Sequence, residues 1–213
     1  MNPTPPFRII RPSRANISYK LNILQHPERA RCCGFGDKDR RPIDPPVIIQ
    51  LHAFRDDEEL PLSSMDSMLF TIQCDIYSED QRETRNFVYP PSITNTQLGI
   101  GENVVKLDTN LCVKNLLGSV VSGAYELKDL NSKDGIFFIF DDLSVRTEGI
   151  FTLRFMFSDL ASGEPLSMST LIQADCYSEP FTVYSAKKTT VITNWFAKQG
   201  IKISRRKQKH HLF

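Results

Sequence analysis

From Ile17 to Gln25 the chain alternates: Ile17, Tyr19, Leu21 and Ile23 fall on one face and Ser18, Lys20 and Asn22 on the other, the two-residue period of a half-buried strand. Further β-type runs follow at 47–54, 68–77, 85–89, 116–127, 136–140, 150–157 and 166–177, with a short one at Phe181–Tyr184. Turn formers separate them, among them Asp56-Asp57-Glu58-Glu59, Lys133-Asp134-Gly135 and Ser162-Gly163. The stretch 26–42 is charged, contains Gly34 and Gly36 and is bracketed by prolines, so it is expected to be a loop. Many short strands with turns between them predict an all-β sandwich or barrel rather than a parallel α/β sheet. Only 190–199 has a helical period, with Val191, Ile192, Trp195 and Phe196 on one face and Gly200 at its C-terminal end. The lone Trp is therefore assigned to packing that short helix on the sandwich, and 201–204 to an added edge strand.

A length of 213 residues suits a single sandwich domain, and fourteen Phe supply the apolar surface for its core. One internal likeness stands out: 72–79 and 172–179 share six of eight residues, Ile-Gln-x-Asp-x-Tyr-Ser-Glu, while their flanks differ. No longer period supports a solenoid. The first fourteen residues hold no apolar stretch of signal-peptide type, and no run approaches membrane-spanning length, so a soluble intracellular chain is expected. Cys32, Cys33, Cys74, Cys112 and Cys176 are odd in number and lack Cys-x-x-Cys spacing, and read as reduced thiols.

Charge changes this picture. The net value is only +1, but residues 1–41 carry nine basic and three acidic side chains, 42–179 carry nine and twenty-two, and 180–213 carry eight and none. Two basic ends flank an acidic body, a division that serves solubility or limits how a polyanion approaches.

Catalytic patterns are not found. His26, His52, His210 and His211 form no His-x-x-x-His pair, and no metal site or cofactor is expected. Gly34-Phe35-Gly36 and Gly99-Ile100-Gly101 are fragments of phosphate-loop patterns and read as turn glycines. Asp141-Asp142 reads as a turn or strand end rather than a catalytic dyad. The basic loop is the better candidate: Arg29, Arg31, Lys38, Arg40 and Arg41 lie within thirteen residues, and arginine supplies both phosphate contacts and bidentate contacts to guanine. Glu28, Asp37 and Asp39 among them fit a solvated surface loop equally well. Near the end, Arg205, Arg206, Lys207 and Lys209 fit a nuclear-import signal, a phosphate-binding strand end or a polar tail.

The stretch 25–46, which opens Gln25-His26-Pro27-Glu28-Arg29-Ala30-Arg31-Cys32-Cys33-Gly34 and closes Arg40-Arg41-Pro42-Ile43-Asp44-Pro45-Pro46, resembles the opening motif of the fungal velvet family of transcriptional regulators. Two more matches follow in order. One is Leu117–Asp129 followed by Asp134–Gly149, which ends Phe140-Asp141-Asp142-Leu143-Ser144-Val145-Arg146-Thr147-Glu148-Gly149, and the other is Glu179-Pro180-Phe181-Thr182-Val183-Tyr184-Ser185-Ala186-Lys187-Lys188. The resemblance covers about 15–207, and implies a flexible segment 1–14 before a velvet domain and a basic tail 208–213 after it.

It further implies an immunoglobulin-like, Rel-homology-like β-sandwich with a short C-terminal helix. The implied function is a dimeric nuclear regulator, with a cytoplasmic pool, that binds double-stranded DNA and controls development, sporulation and secondary metabolism. Its implied partner is another velvet-domain protein, as homo- or heterodimer, and through that complex a methyltransferase-like regulator. The loop positions matching the family's DNA-binding residues are Lys38, Arg40 and Arg41, with Arg29, Arg31, Arg205, Arg206 and Lys207 as auxiliary contacts. The chain holds little beyond the matched region, so reliance on a partner for activation is expected. The alternative is a dimerising adapter that binds no DNA itself. The likeness to the small partner-type or spore-viability members does not choose between them.

Overall fold

The computed structural model describes residues 16–36, 40–61, 67–90, 112–162 and 170–185. Its strands are β1 (Ile17–Gln25), β2 (Arg29–Arg31), β3 (Val47–Arg55), β4 (Glu58–Glu59), β5 (Phe70–Ser78), β6 (Phe87–Val88), β7 (Val113–Lys114) and β8 (Leu116–Leu117). They continue with β9 (Val121–Gly123), β10 (Tyr125–Lys128), β11 (Asp134–Phe140), β12 (Ser144–Val145), β13 (Gly149–Asp159), β14 (Ala174–Tyr177) and β15 (Phe181–Tyr184). Helical turns among the described residues are limited to the single 3-10 turns Ser67–Leu69 and Leu160–Ser162. The fold is all-β.

Two sheets face one another. In the first the order is β1-β3-β11-β10, and β4 folds back on β3. In the second the order is β2-β15-β13-β5-β9, with β14 beside β13 on the β15 side. Alternation decides what enters the space between them. Val47, Ile49, Leu51 and Ala53 of β3 point inward and are fully buried, as are Phe70, Ile72, Cys74 and Ile76 of β5. On β13 the inward set is Phe151, Leu153, Phe155 and Phe157. Rings bridge the sheets: Phe157 packs on Tyr19 at 4.8 Å and Phe138 at 6.1 Å, and Phe155 on Phe140 at 5.2 Å between centroids. The Tyr19 hydroxyl crosses the same gap to donate to Asp159 Oδ2 at 3.0 Å.

The sequence-read runs at 47–54, 136–140 and 150–157 fall within β3, β11 and β13, and Ile17–Gln25 and Phe181–Tyr184 coincide with β1 and β15. Other boundaries move for physical reasons. The stretch 26–42 is not wholly loop: Arg29–Arg31 adds to the sheet edge because Ala30 alone turns inward, beside Val183. The run 116–127 is three strands rather than one, since β8 pairs with β12, β9 with β5 and β10 with β11. Gly118 makes the first break at φ 102°, where a Cβ would stand 2.4 Å from the Asp142 carbonyl oxygen.

Asp134 and Gly135 belong to β11. The turn lies earlier, where Asp129 Oδ1 accepts the N–H groups of Asn131 and Lys133. In the acidic turn only Asp56 and Asp57 turn, both at positive φ (50° and 66°), while Glu58 and Glu59 pair with β3. Of 166–177 only Ala174–Tyr177 is strand among the described residues. The expected helix at 190–199 and the edge strand at 201–204 lie outside the described residues.

The two similar octapeptides flank one strand. Ile72 and Ala174 both stand opposite Phe157, and Cys74 and Cys176 both stand opposite Phe155, on opposite sides of β13. Replacing Phe157 by alanine removes the ring on which Tyr19, Phe70 and Phe138 converge. It is expected to cost about 3–5 kcal/mol, read as a lower urea midpoint with an unchanged slope.

A basic groove at the sheet edge as candidate nucleic-acid interface

The edge of the second sheet is built from residues far apart in sequence. β2 runs parallel to β15, with Arg29 opposite Thr182, Ala30 opposite Val183 and Arg31 opposite Tyr184. Period-2 alternation buries Ala30 and Val183 and leaves Arg29, Arg31 and Tyr184 together on the outer face. The chain then leaves the sheet and returns. The Asp44 N–H donates to the Arg29 carbonyl at 2.8 Å and the Arg29 N–H to the Asp44 carbonyl at 2.9 Å, a two-residue antiparallel bridge. Arg41 and Pro42 arrive on that returning segment. Arg29, Arg31, Arg41 and Tyr184 thus line, with Pro42 and Asp44, an open groove of about 560 Å³.

Among the described residues Asp44 is the one acidic residue lining the groove. Its Oδ2 accepts Arg29 Nε at 3.0 Å and Nη2 at 2.9 Å. Hydrogen bonding to Asp44, and then its charge, hold the Arg29 guanidinium above its ordinary range. Both side chains are more than half exposed, so the pair contributes little stability and serves mainly to orient Arg29.

The residues leading out of the groove are tied to the neighbouring β12 segment. The Cys32 N–H donates to the Tyr184 carbonyl at 2.8 Å, the Cys33 N–H to Val145 at 2.9 Å and the Gly34 N–H to Arg146 at 3.1 Å. On the return, the Ile43 N–H donates to the Leu143 carbonyl at 2.7 Å. Cys33 lies buried beneath: burial raises its thiol, while the nearby Arg146 and Arg40 charges pull it the other way.

The structure therefore brings together Arg29, Arg31 and Arg41, while Arg40, which precedes Arg41 in the chain, is exposed without lining the groove. Lys38 lies outside the described residues, as do Arg205, Arg206, Lys207 and Lys209. Sequence reasoning missed Tyr184, which enters through strand pairing between distant segments, Asp44, which bridges back to Arg29 within the same motif, and Arg146. A signal for Arg146 existed in its place directly after the apolar pair Leu143 and Val145. A second open concavity, on the outer face of the first sheet, also measures about 560 Å³ but is lined mainly by apolar residues, among them Leu24, Ile48, Leu127, Leu130, Phe137 and Ile139. The first groove is lined by three arginines, the second by Lys128 beside Asp129. Among the described residues no group of three or more His, Cys, Asp or Glu is placed to hold a metal ion.

Comparison with known proteins fits the three sequence motifs noted above. The sequence model of the family described as Velvet factor matches residues 19–105 and 99–210. The chain belongs to the velvet family. Velvet complex subunit 2 of Gibberella moniliformis is 30% identical over 89% of this chain and 61% of its own length. A velvet complex subunit of Emericella nidulans is 29% identical over 89% of this chain and 78% of its own. The sexual development regulator umv3 of Mycosarcoma maydis is 32% identical over 94% of this chain and 49% of its own. This velvet chain thus spans about half to three quarters of the relatives it matches, and the family is one of regulators rather than of enzymes.

Three thiols of this velvet domain are predicted to be inert while it is folded. Burial raises Cys33 and Cys74 and pushes Cys176 up to about 12. At pH 8 a thiol reagent should label the half-exposed Cys32 and Cys112 first; Cys176, though also half-exposed, should stay unlabelled because its raised pKa leaves little thiolate, and buried Cys33 and Cys74 should be reached only on denaturation, as peptide mapping would show. The sign for stability follows. A folded-state thiol raised above its unfolded value near 9 stabilises fully below that pH, and this contribution is lost as pH rises through the folded value. The urea midpoint is therefore expected to fall above about pH 9.

Proposed function

We propose that this velvet-family chain is a developmental regulator that binds duplex DNA across the edge formed by β2, Tyr184 and the returning segment 40–42. The observation that carries this reading is the convergence of Arg29, Arg31 and Arg41 on one open groove, with Arg40 exposed next to Arg41 in the chain. Guanidinium groups so placed meet phosphate oxygens with paired N–H donors, and those nearest a base edge can take guanine O6 and N7. Lys38 and the C-terminal cations Arg205, Arg206 and Lys207 are proposed as further phosphate contacts. The cluster that includes Lys209 is proposed as a nuclear-import signal, with the protein held partly in the cytoplasm.

A partner belongs to the same proposal. Relatives are named as subunits of a velvet complex, and dimerisation with another velvet protein accounts for that vocabulary. The same names also favour a second reading, in which the chain is an adapter within such a complex and binds no DNA.

Salt dependence separates the two. Wild type and the triple variant Lys38→Ala/Arg40→Ala/Arg41→Ala, matched for folding and oligomeric state, are titrated with genomic DNA fragments at several salt concentrations. Each phosphate contact contributes about 0.9 to the slope of log affinity against log salt. A DNA-binding loop predicts that the variant loses at least about tenfold in affinity and roughly two to three in slope. Weak, salt-insensitive and equal binding by both proteins would assign the chain to the adapter role.

A further inference from the structure

Arg146 reaches the groove's outgoing chain without lining the groove itself. Its Nη1 donates to the Gly34 carbonyl at 3.0 Å, and its Nε donates to the Lys114 carbonyl at 2.9 Å. Its guanidinium carbon lies 5.9 Å from the Phe35 ring centroid. One planar cation thus joins three segments: the start of the basic loop, β7 and the end of β12.

The anchor behind Arg146 is continuous with the core. The Arg146 N–H donates to the Asn115 carbonyl at 2.9 Å. Asn115 is fully buried, and its Oδ1 accepts the Thr147 N–H at 3.2 Å and the Thr147 hydroxyl at 3.0 Å. The Asn115 N–H in turn donates to Asn86 O at 2.7 Å, and Asn86 Oδ1 accepts the Ile76 N–H of β5 at 3.0 Å. Hydrogen bonds therefore run unbroken from the middle of the second sheet to Gly34.

We infer that Arg146 is a positioning residue for DNA binding, holding the start of the basic loop in the orientation that presents Arg40 and Arg41. This rests on the proposed DNA-binding function. Gly34 sits at φ 65°, where its carbonyl direction decides the course of the following chain. The return of the loop is held separately, by the Ile43 N–H on the Leu143 carbonyl and by the Asp44–Arg29 bridge, so Arg146 fixes the outgoing end of a segment whose other end is already anchored close to Arg40 and Arg41. Ordering one backbone residue shifts an equilibrium by about tenfold, which sets the scale of what releasing Gly34 and Phe35 costs on binding. The task needs arginine. Two carbonyls in different directions and a ring face require a forked, planar group, and a lysine ammonium supplies the charge without that geometry.

Arg146→Lys isolates geometry from charge, and Arg146→Gln removes both. Amide hydrogen exchange, followed on peptides covering 33–43 and on peptides from β3 and β13, reads the anchor in the absence of DNA. DNA titrations across salt read its consequence. The inference expects exchange at 33–43 to accelerate at least about tenfold in Arg146→Lys while the β3 and β13 peptides are unchanged. It also expects DNA affinity to fall about tenfold with a slope loss greater than the 0.9 of one contact.

Unchanged exchange at 33–43 overturns it. So does the opposite signature, in which Arg146→Lys keeps wild-type affinity and slope and Arg146→Gln loses about 0.9, because Arg146 would then be a phosphate contact itself. If wild type binds no DNA, the DNA-binding function fails. The exchange result then decides alone whether Arg146 holds the loop. Should Arg146→Lys accelerate exchange everywhere, Phe35→Leu tests the stacking contact by itself: local acceleration supports the anchor, and its absence overturns it.

Discussion

Burial of one face of β13 is the constraint on which the rest depends. This strand is hydrogen-bonded on both sides, to β5 along its length and to β15 and then β14 on the other edge. Its inward residues Phe151, Leu153, Phe155 and Phe157 find cover only if the sheet of β3 and β11 closes over them. Few polar groups enter that space. Asp159, at the far end of β13, accepts the Tyr19 hydroxyl from the facing sheet and the Ala161 N–H beyond the strand, and so ties the two layers where the aromatic packing ends.

The groove is a by-product of that closure. β15 must lie against β13, and Phe181 and Val183 must face inward, which turns Tyr184 outward at the last described strand position. β2 completes the edge with a single buried residue, Ala30, so its two flanking arginines have no choice but the outer face. The chain's basic beginning and the entry to its basic end thereby meet at Arg31 and Tyr184, although more than 150 positions separate them. A parallel pair at a sheet edge brings this about without any local sequence signal.

Legibility from sequence followed the same division. Long strands with strict alternation or an apolar run, such as β1, β3 and β13, show their period within one segment and were readable. Short strands were not: β2, β7 and β12 are two or three residues long, too short for a period to emerge, and exist because a partner supplies their hydrogen bonds. The stretch 116–127 hid three strands because β-type residues persist across it, and only the Gly118 turn and the handover between sheets near Ala124 divide it. The candidate cations Arg29, Arg31, Arg40 and Arg41 were legible as a cluster. Their neighbours Tyr184 and Arg146 come from elsewhere in the chain and Asp44 from just beyond Arg41, and the family resemblance located their segments without assigning those side chains a task.

Asp44 constrains what Arg29 can offer to the groove. Its Oδ2 takes Nε and one Nη2 hydrogen of Arg29, so the three remaining donors of that guanidinium are those turned away from the carboxylate. The same carboxylate subtracts one charge from the groove and cannot itself accept a phosphate oxygen. Generic attraction of polyanions is thereby weakened, and the exposed pair biases Arg29 toward one direction without locking it. For the proposed DNA ligand, such a bias would favour one register over charge alone, because a phosphate backbone displaced along the edge would keep the Coulomb attraction but lose the paired hydrogen bonds. Arg146 and Asp44 act from opposite ends of the loop: Asp44 takes up part of Arg29's hydrogen-bonding capacity and biases that guanidinium, while Arg146 spends its own on the Gly34 carbonyl where the basic loop begins.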